Sequence, residues 1–373
     1  EMANPGKGLA MADTRDVVAL TQKLIAFDTV NPPGQEAACI RFCAELLQTA
    51  GFDCRIIDHG NDRCGLIATR GDRPGLCFSG HLDTVPLGRS RWLYAPLGGS
   101  VVDGRLYGRG SSDMKGGVAA FLTAASTTQA PASVILTSGE ETGCDGARWL
   151  VEKGSLPKAG AMVVGESTDN QPVPGHKGAL WLRLTTTGRT AHGATPEQGE
   201  NAIARMAETL ARLCRYRPRH THPLMGQASC NIGTLQAGIN PNSVPDLCAL
   251  TADLRSVAGV THDTLAEEVR ALCDSEVDIK RLIDLPAVWT DPDDPWFAAA
   301  CQQVCAMTEH AAHRACVNYF TDASVLKPAM GDLPVMILGP GQVDQPHVTD
   351  EYVRVARLVE AVGLYAALID ASA

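Results

Sequence analysis

The sequence predicts an α/β fold: a three-layer domain with a largely parallel central sheet, interrupted by an inserted α+β block. Three observations carry that prediction. First, four apolar runs end in polar or ionisable residues: Leu76 to Phe78 in Ser79-Gly80-His81, Ser133 to Leu136 in Glu140-Glu141, Ala161 to Val164 in Glu166, and Val335 to Leu338 in a loop holding His347. None shows the period-2 alternation of a half-exposed strand, which suits parallel strands covered on both faces. Second, Leu180 to Thr186 does alternate, the pattern of an antiparallel strand with one wet face. Third, residues suited to one chemistry lie on both sides of that alternating block, so the block reads as an insertion.

Along the chain, Glu1 to Ala10 lacks the apolar core of a signal peptide and reads as a flexible leader outside the fold. Val17, Leu20, Leu24 and Phe27 recur at helical spacing, and Asn31-Pro32-Pro33-Gly34 ends that helix. A second helix is expected from Gln35 to Ala50, with Gly51 as its stop. Strands are expected near Cys54 to Ile57, Gly65 to Thr69 and Leu76 to Gly80. Gly98 to Gly110 reads as a hairpin or loop, and a helix follows from Val118 to Thr127.

After His176-Lys177-Gly178 the inserted block reads as the strand Leu180 to Thr186, a Gly-rich turn with His192 and a helix from Gly199 to Tyr216. Strands Ala228 to Leu235 and Leu247 to Arg255, a helix Thr261 to Cys273 and a last strand Val277 to Ile283 complete it. Asp291-Pro292-Asp293-Asp294-Pro295 closes the block, and a helix from Glu351 to Ile369 ends the chain. The expected division is therefore 12–179 and 291–373 for the two parts of one domain, with 180–290 inserted.

Bulk properties exclude some functions. A formal net charge of -10 with no basic block argues against a nucleic-acid backbone as partner. No apolar run reaches membrane-spanning length. Thirteen cysteines, an odd number without a CxxC pair, suit reduced thiols in a reducing cytoplasm.

In a doubly covered parallel sheet, sites form at the carboxyl ends of the strands. His81, Asp113, Glu141, Glu166 and His347 are therefore candidate metal ligands that the fold brings together. Imidazole with carboxylate favours Zn²⁺ or a similar divalent ion, with Co²⁺ or Mn²⁺ as alternatives. Five ligands exceed the need of one catalytic ion that keeps a water position, and two ions sharing a carboxylate account for the number. Asp83, two residues beyond His81, is placed to accept the other ring N–H and fix the tautomer. Glu140, beside a ligand but pointing elsewhere, suits a general base. Gly108 to Gly117 lacks both phosphate-loop patterns, so its glycines are read as letting the backbone deliver Asp113 at a helix start.

These blocks resemble a known family. Ser79 to Pro86, Leu106 to Gly110 through Asp113-Met114-Lys115-Gly116, Gly139 to Thr142, Gly165 to Thr168, and Gly339-Pro340-Gly341 through His347 look like those of the amidohydrolases that include acetylornithine deacetylase, succinyl-diaminopimelate desuccinylase, aminoacylase and glutamate carboxypeptidase. The resemblance runs in order from about Thr14 to the C-terminal helix. It implies that Asp113 bridges two zinc ions, that His81 and Glu166 complete one, and that Glu141 and His347 complete the other. It also implies a cis Asp113-Met114 peptide, Glu140 as base and Asp83 as the partner of His81. The inserted block resembles the family's lid and dimerisation domain, which implies a homodimer. Thr190-Ala191-His192-Gly193-Ala194 matches the block whose histidine stabilises the oxyanion, in several members from the partner subunit. Asn242 and Arg255 match positions that hold substrate, and a guanidinium is suited to clamp a carboxylate with two parallel bonds.

The tail Gly339 to Tyr352 and Gly175 to Gly178 look most like acetylornithine deacetylase, which implies hydrolysis of an N-acyl amino acid amide. Tyr94-Ala95-Pro96-Leu97 departs from the family's acidic residue and Pro-Phe near the substrate entrance. Desuccinylation of a diamino acid derivative, cleavage of a dipeptide or other amide, and non-catalytic metal or amino-acid binding are the alternatives. Glu140 speaks against the last, because binding alone needs no base.

Overall fold

The computed structural model describes residues 16–154, 156–308 and 315–372. The expected leader lies outside them. By their contacts the described residues divide into two units, the first within 1–174, 290–313 and 321–373 and the second within 175–289 and 314–320.

The first unit is built on a six-stranded sheet in the order Asp53–Gly60, Arg63–Arg70, Ala132–Thr137, Gly75–His81, Ala159–Val164, Val335–Ile337. The last four are mutually parallel and adjacent. They are the four non-alternating runs, and every residue of Gly75–His81 and Ala132–Thr137 is buried. The first two strands join as an antiparallel edge.

One face of the sheet packs against the helices Val17–Ile25, Ala37–Thr49, Lys115–Thr127 and Val355–Ala371. There Phe78 stacks on Phe121 at 3.9 Å and meets the edge of Tyr365 at 5.6 Å, all three fully buried. Each such side chain contributes roughly 1.5–3 kcal/mol by burial. On the other face lies the helix Asp145–Lys153; Gly65 has no Cβ because one would come within 2.6 Å of Leu150.

Two of the boundaries that differ from the sequence reading bear on the site. The C-terminal helix starts at Val355, because Tyr352–Arg354 pairs with Arg105–Tyr107 as a third strand beside Ser100–Val102. The helix after Asp113 starts at Lys115, three residues early, so Gly116 and Gly117 are helical. A Cβ on Gly117 would lie 2.1 Å from the Gly165 carbonyl oxygen, so this glycine lets the helix start press against the strand end that leads into Glu166.

The second unit holds a four-stranded antiparallel sheet, ordered Ser229–Ala237, Leu247–Ser256, Gly178–Thr187, Asp278–Leu285. Leu180, Leu182 and Leu184 point to a core shared with Leu250, Leu254, Met206, Leu213, Leu265 and Val269, the last four from the helices Ala202–Arg215 and His262–Ala271. The alternation seen in sequence is thus a sheet with helices on one face. Residues 315–320, which the sequence reading grouped with the flanking domain, pack in this unit: Val317 bridges His176, and Cys316 donates its N–H to Leu224.

Candidate metal centre and catalytic base

His81 ends its strand with both ring nitrogens engaged. Nδ1 lies 3.0 Å from the Asp83 carbonyl oxygen and 3.4 Å from the Asp83 carboxylate. That places a ring proton on Nδ1 and turns Nε2 toward Asp113 Oδ1 at 3.2 Å and Glu166 Oε1 at 3.4 Å. The nearer acceptor is the backbone of Asp83, because its carboxylate has a second task. Asp83 Oδ1 accepts the N–H of Glu140 at 3.1 Å, and Oδ2 accepts that of Glu141 at 3.2 Å and the Asn31 amide at 2.9 Å. One buried carboxylate thus orients His81 and the loop of the two glutamates.

Asp113 lies between two imidazoles. Its Oδ1 faces His81 and its Oδ2 lies 3.3 Å from His347 Nε2, which is also 3.1 Å from Glu141 Oε2. The donors therefore fall into two groups, His81 with Glu166 and Glu141 with His347, with Asp113 between them. The Asp113-Met114 peptide is cis. The loop before it is held by Glu351, a fully buried residue that accepts N–H bonds from Gly110, Ser112 and Asp113 at 2.8–3.0 Å and a 2.7 Å ion pair from Arg109.

The electrostatics fit a divalent cation. Asp113, Glu140, Glu141 and Glu166 crowd together, and among the described residues no Lys or Arg pairs with them. Burial pushes Glu141 and Glu166 each up to about 7, helped by the Asp113 charge. Hydrogen bonds to Asp113 and Glu141 push His347 up to about 10. Burial also raises Glu140 well above the usual carboxylate range. Glu141 Oε1 is buried with no hydrogen-bond partner among the described residues. Imidazole nitrogens and carboxylate oxygens meeting at one point, with one oxygen unused, form the donor set of zinc and similar ions. His81, Asp113 and Glu141 alone offer three donor atoms within 4.8 Å of one another.

The remaining sequence candidates belong to the second unit. His192 is exposed, and its Nδ1 accepts the Ala194 N–H at 3.1 Å, which leaves the proton on an outward Nε2. It bridges Ser243, and Gly193 donates to the Asn242 carbonyl at 2.8 Å, so the His192 turn and Asn242 are neighbours. Arg255 is not an open fork: Nε and Nη2 both bond Asp253, and the guanidinium lies 5.8 Å from the Phe320 ring centre. A Ser-His-Asp relay also occurs here, with Ser256 Oγ 2.8 Å from His262 Nε2 and His262 Nδ1 2.6 Å from Asp284. Ser256 is fully buried against Gly178, so it offers substrate no nucleophile.

Sequence reasoning missed Glu351 and Asn31. Asp350-Glu351 looks like a solvated acidic pair, and only the strand at 352–354 turns Glu351 inward. Asn31 reads as part of a Pro-Pro turn that ends a helix, with nothing to tie it to Asp83.

Comparisons with known proteins agree with this geometry. Residues 77–371 match the profile of peptidase family M20/M25/M40. The chain is 30% identical over 378 aligned residues to the acetylornithine deacetylase of Proteus mirabilis (strain HI4320), covering 95% of each. Its fold is similar to that of a Staphylococcus aureus tripeptidase, with a TM-score of 0.78, 20% identity and coverage of 97% of this chain and 99% of the other. It is also similar to a dinuclear metal-binding peptidase of Bacillus subtilis, with a TM-score of 0.70, 16% identity and coverage of 97% and 99%. The chain belongs to peptidase family M20/M25/M40 and is a metallohydrolase that acts on amide C–N bonds.

Proposed function

We propose that the protein hydrolyses the amide of an N-acyl amino acid, releasing a small acyl group, with an N-acetylated diamino acid such as N-acetylornithine as the first substrate to test. The observation that carries this reading is Asp113 between His81 and His347, with the buried Glu140 fixed beside them through Asp83. His81, Asp113 and Glu166 would hold one divalent ion, and Asp113, Glu141 and His347 a second, Zn²⁺ before Co²⁺ or Mn²⁺. When bound, such ions polarise a carbonyl oxygen and bring the pKa of water toward neutrality.

Glu140 receives the proton of the attacking water and hands it to the leaving nitrogen. Asp83 keeps His81 in the tautomer that presents Nε2 and holds the backbone of Glu140 and Glu141 in place. His192, with its proton on Nε2, is suited to donate to the oxyanion of the tetrahedral intermediate. Arg255 and Asn242 are assigned to substrate, Arg255 through the Nη1 edge that Asp253 leaves unused.

The second unit is assigned to homodimer contact. Leu235 on its edge strand is 51% exposed, Ile239 in the loop after that strand 91%, Leu247 on the adjoining strand 49% and Ile203 on the helix Ala202–Arg215 43%. Thirteen cysteines, an odd number without a CxxC pair, support a reducing cytoplasm. No described helix is long and apolar enough to cross a membrane.

The test is turnover of a panel of N-acetyl, N-succinyl and dipeptide substrates by the zinc- or cobalt-loaded enzyme, with Glu140→Ala as control. Turnover of an N-acyl amino acid that disappears in the control supports the assignment. Turnover of dipeptides alone replaces it with a peptidase, and no turnover with two bound metals refutes it.

A further inference from the structure

We propose that Asp322 is a positioning residue for the catalytic loop, anchoring the strand end that leads into the segment carrying Glu140 and Glu141. The proposal rests on Glu140 being the base. The segment is a tight turn between the end of the strand Ala132–Thr137 and the helix Asp145–Lys153. Inside it, Gly143 and Cys144 donate to the Glu140 carbonyl at 2.8 and 3.0 Å, and Asp145 donates to that of Gly139 at 3.1 Å. Cys144 takes a left-handed conformation, φ 62°, to make the turn.

Asp322 sits at the start of the helix Ala323–Ala329 and is 2% exposed. Its Oδ2 accepts the hydroxyl of Thr137, the last strand residue before the loop. The thiol of Cys144, at the far end of the loop, lies against the same carboxylate. Thr137 in turn pairs in register with His81, and its carbonyl accepts the Leu82 N–H at 3.1 Å. One buried carboxylate from a separate helix thus holds the strand end before the loop, beside a candidate metal ligand. Its Oδ1 is buried with no nitrogen or oxygen donor among the described residues, an arrangement that costs stability wherever it serves no purpose. Asp83 holds the middle of the loop through two N–H groups, and Asp322 holds the strand end before it.

The experiment compares Asp322→Ala, Asp322→Asn, Thr137→Val and the double variant Asp322→Ala/Thr137→Val in the metal-loaded enzyme, with amide exchange of residues 138–144 measured on the metal-free protein. Misplacing a base by about an ångström is expected to lower kcat ~10–100-fold in Asp322→Ala. KM stays within about twofold, because substrate contacts are untouched. Asp322→Asn recovers most of the loss, since its amide oxygen still accepts from Thr137. Thr137→Val loses kcat in the same direction, the double variant is no worse than the worse single one, and exchange across 138–144 quickens.

Wild-type kcat in Asp322→Ala, additive losses in the double variant, or unchanged exchange across the loop would each overturn the proposal. If Asp322→Ala does not fold, Thr137→Val decides by the same criteria of kcat and exchange. Absence of turnover in the wild-type enzyme would refute the proposed function and leave the exchange measurement to decide on Asp322.

Discussion

The two units treat their candidate residues in opposite ways. In the first, each candidate ligand and the candidate base is buried or hydrogen-bonded: Asp83 accepts from three donors, Glu351 holds four groups of the Asp113 loop, and His81 has both nitrogens engaged. In the second, His192 is exposed with one local bond, and Arg255 is already paired with Asp253. The difference separates a rigidly held centre from loosely held contacts. A centre that binds cations and moves a proton gains from rigid placement. Contacts to substrate tolerate slack, and pocket changes of a methylene or so alter specificity only modestly.

The comparison breaks most sharply at Glu140. Glu140→Gln keeps the shape but removes the proton carrier, so kcat is expected to fall ~10²–10⁴-fold with metal content unchanged, measured by steady-state kinetics and elemental analysis. A loss of metal on that substitution would make Glu140 a ligand instead. Next, His192→Ala should lower kcat ~10²–10³-fold while leaving metal content and thermal midpoint unchanged. Mixing it with Glu140→Gln sharpens the point: restored activity means that the histidine serves its partner's centre, and none means that it serves its own. The smallest effect is expected at Glu351→Gln. The ion pair with Arg109 weakens and the Asp113 loop loosens, which should lower metal affinity ~10–100-fold in a competitive chelator titration while the saturated enzyme keeps most of its kcat.

Much of the first unit was legible because its signals are local. Apolar runs without alternation mark the parallel strands, and the ionisable residues in the segments that follow them mark the candidate site, since strand ends determine where those segments start. The pieces that were not legible depend on long-range packing. Glu351 becomes a loop anchor only because residues 352–354 add a strand to 105–107, and Asp322 becomes an anchor only because its helix reaches Thr137 across the sheet. Neither residue differs by type from a surface acid. Arg255 shows the same limit from the other side: sequence gives a guanidinium suited to a carboxylate, and the fold supplies Asp253 as that carboxylate.

Anomalous diffraction at the zinc edge, from crystals grown with Zn²⁺, locates the ions. Two peaks in each chain are expected, one against His81 and Glu166 and one against Glu141 and His347, with Asp113 touching both. A single peak, or peaks that leave Asp113 uncoordinated, would contradict the shared-carboxylate centre on which the proposed chemistry depends.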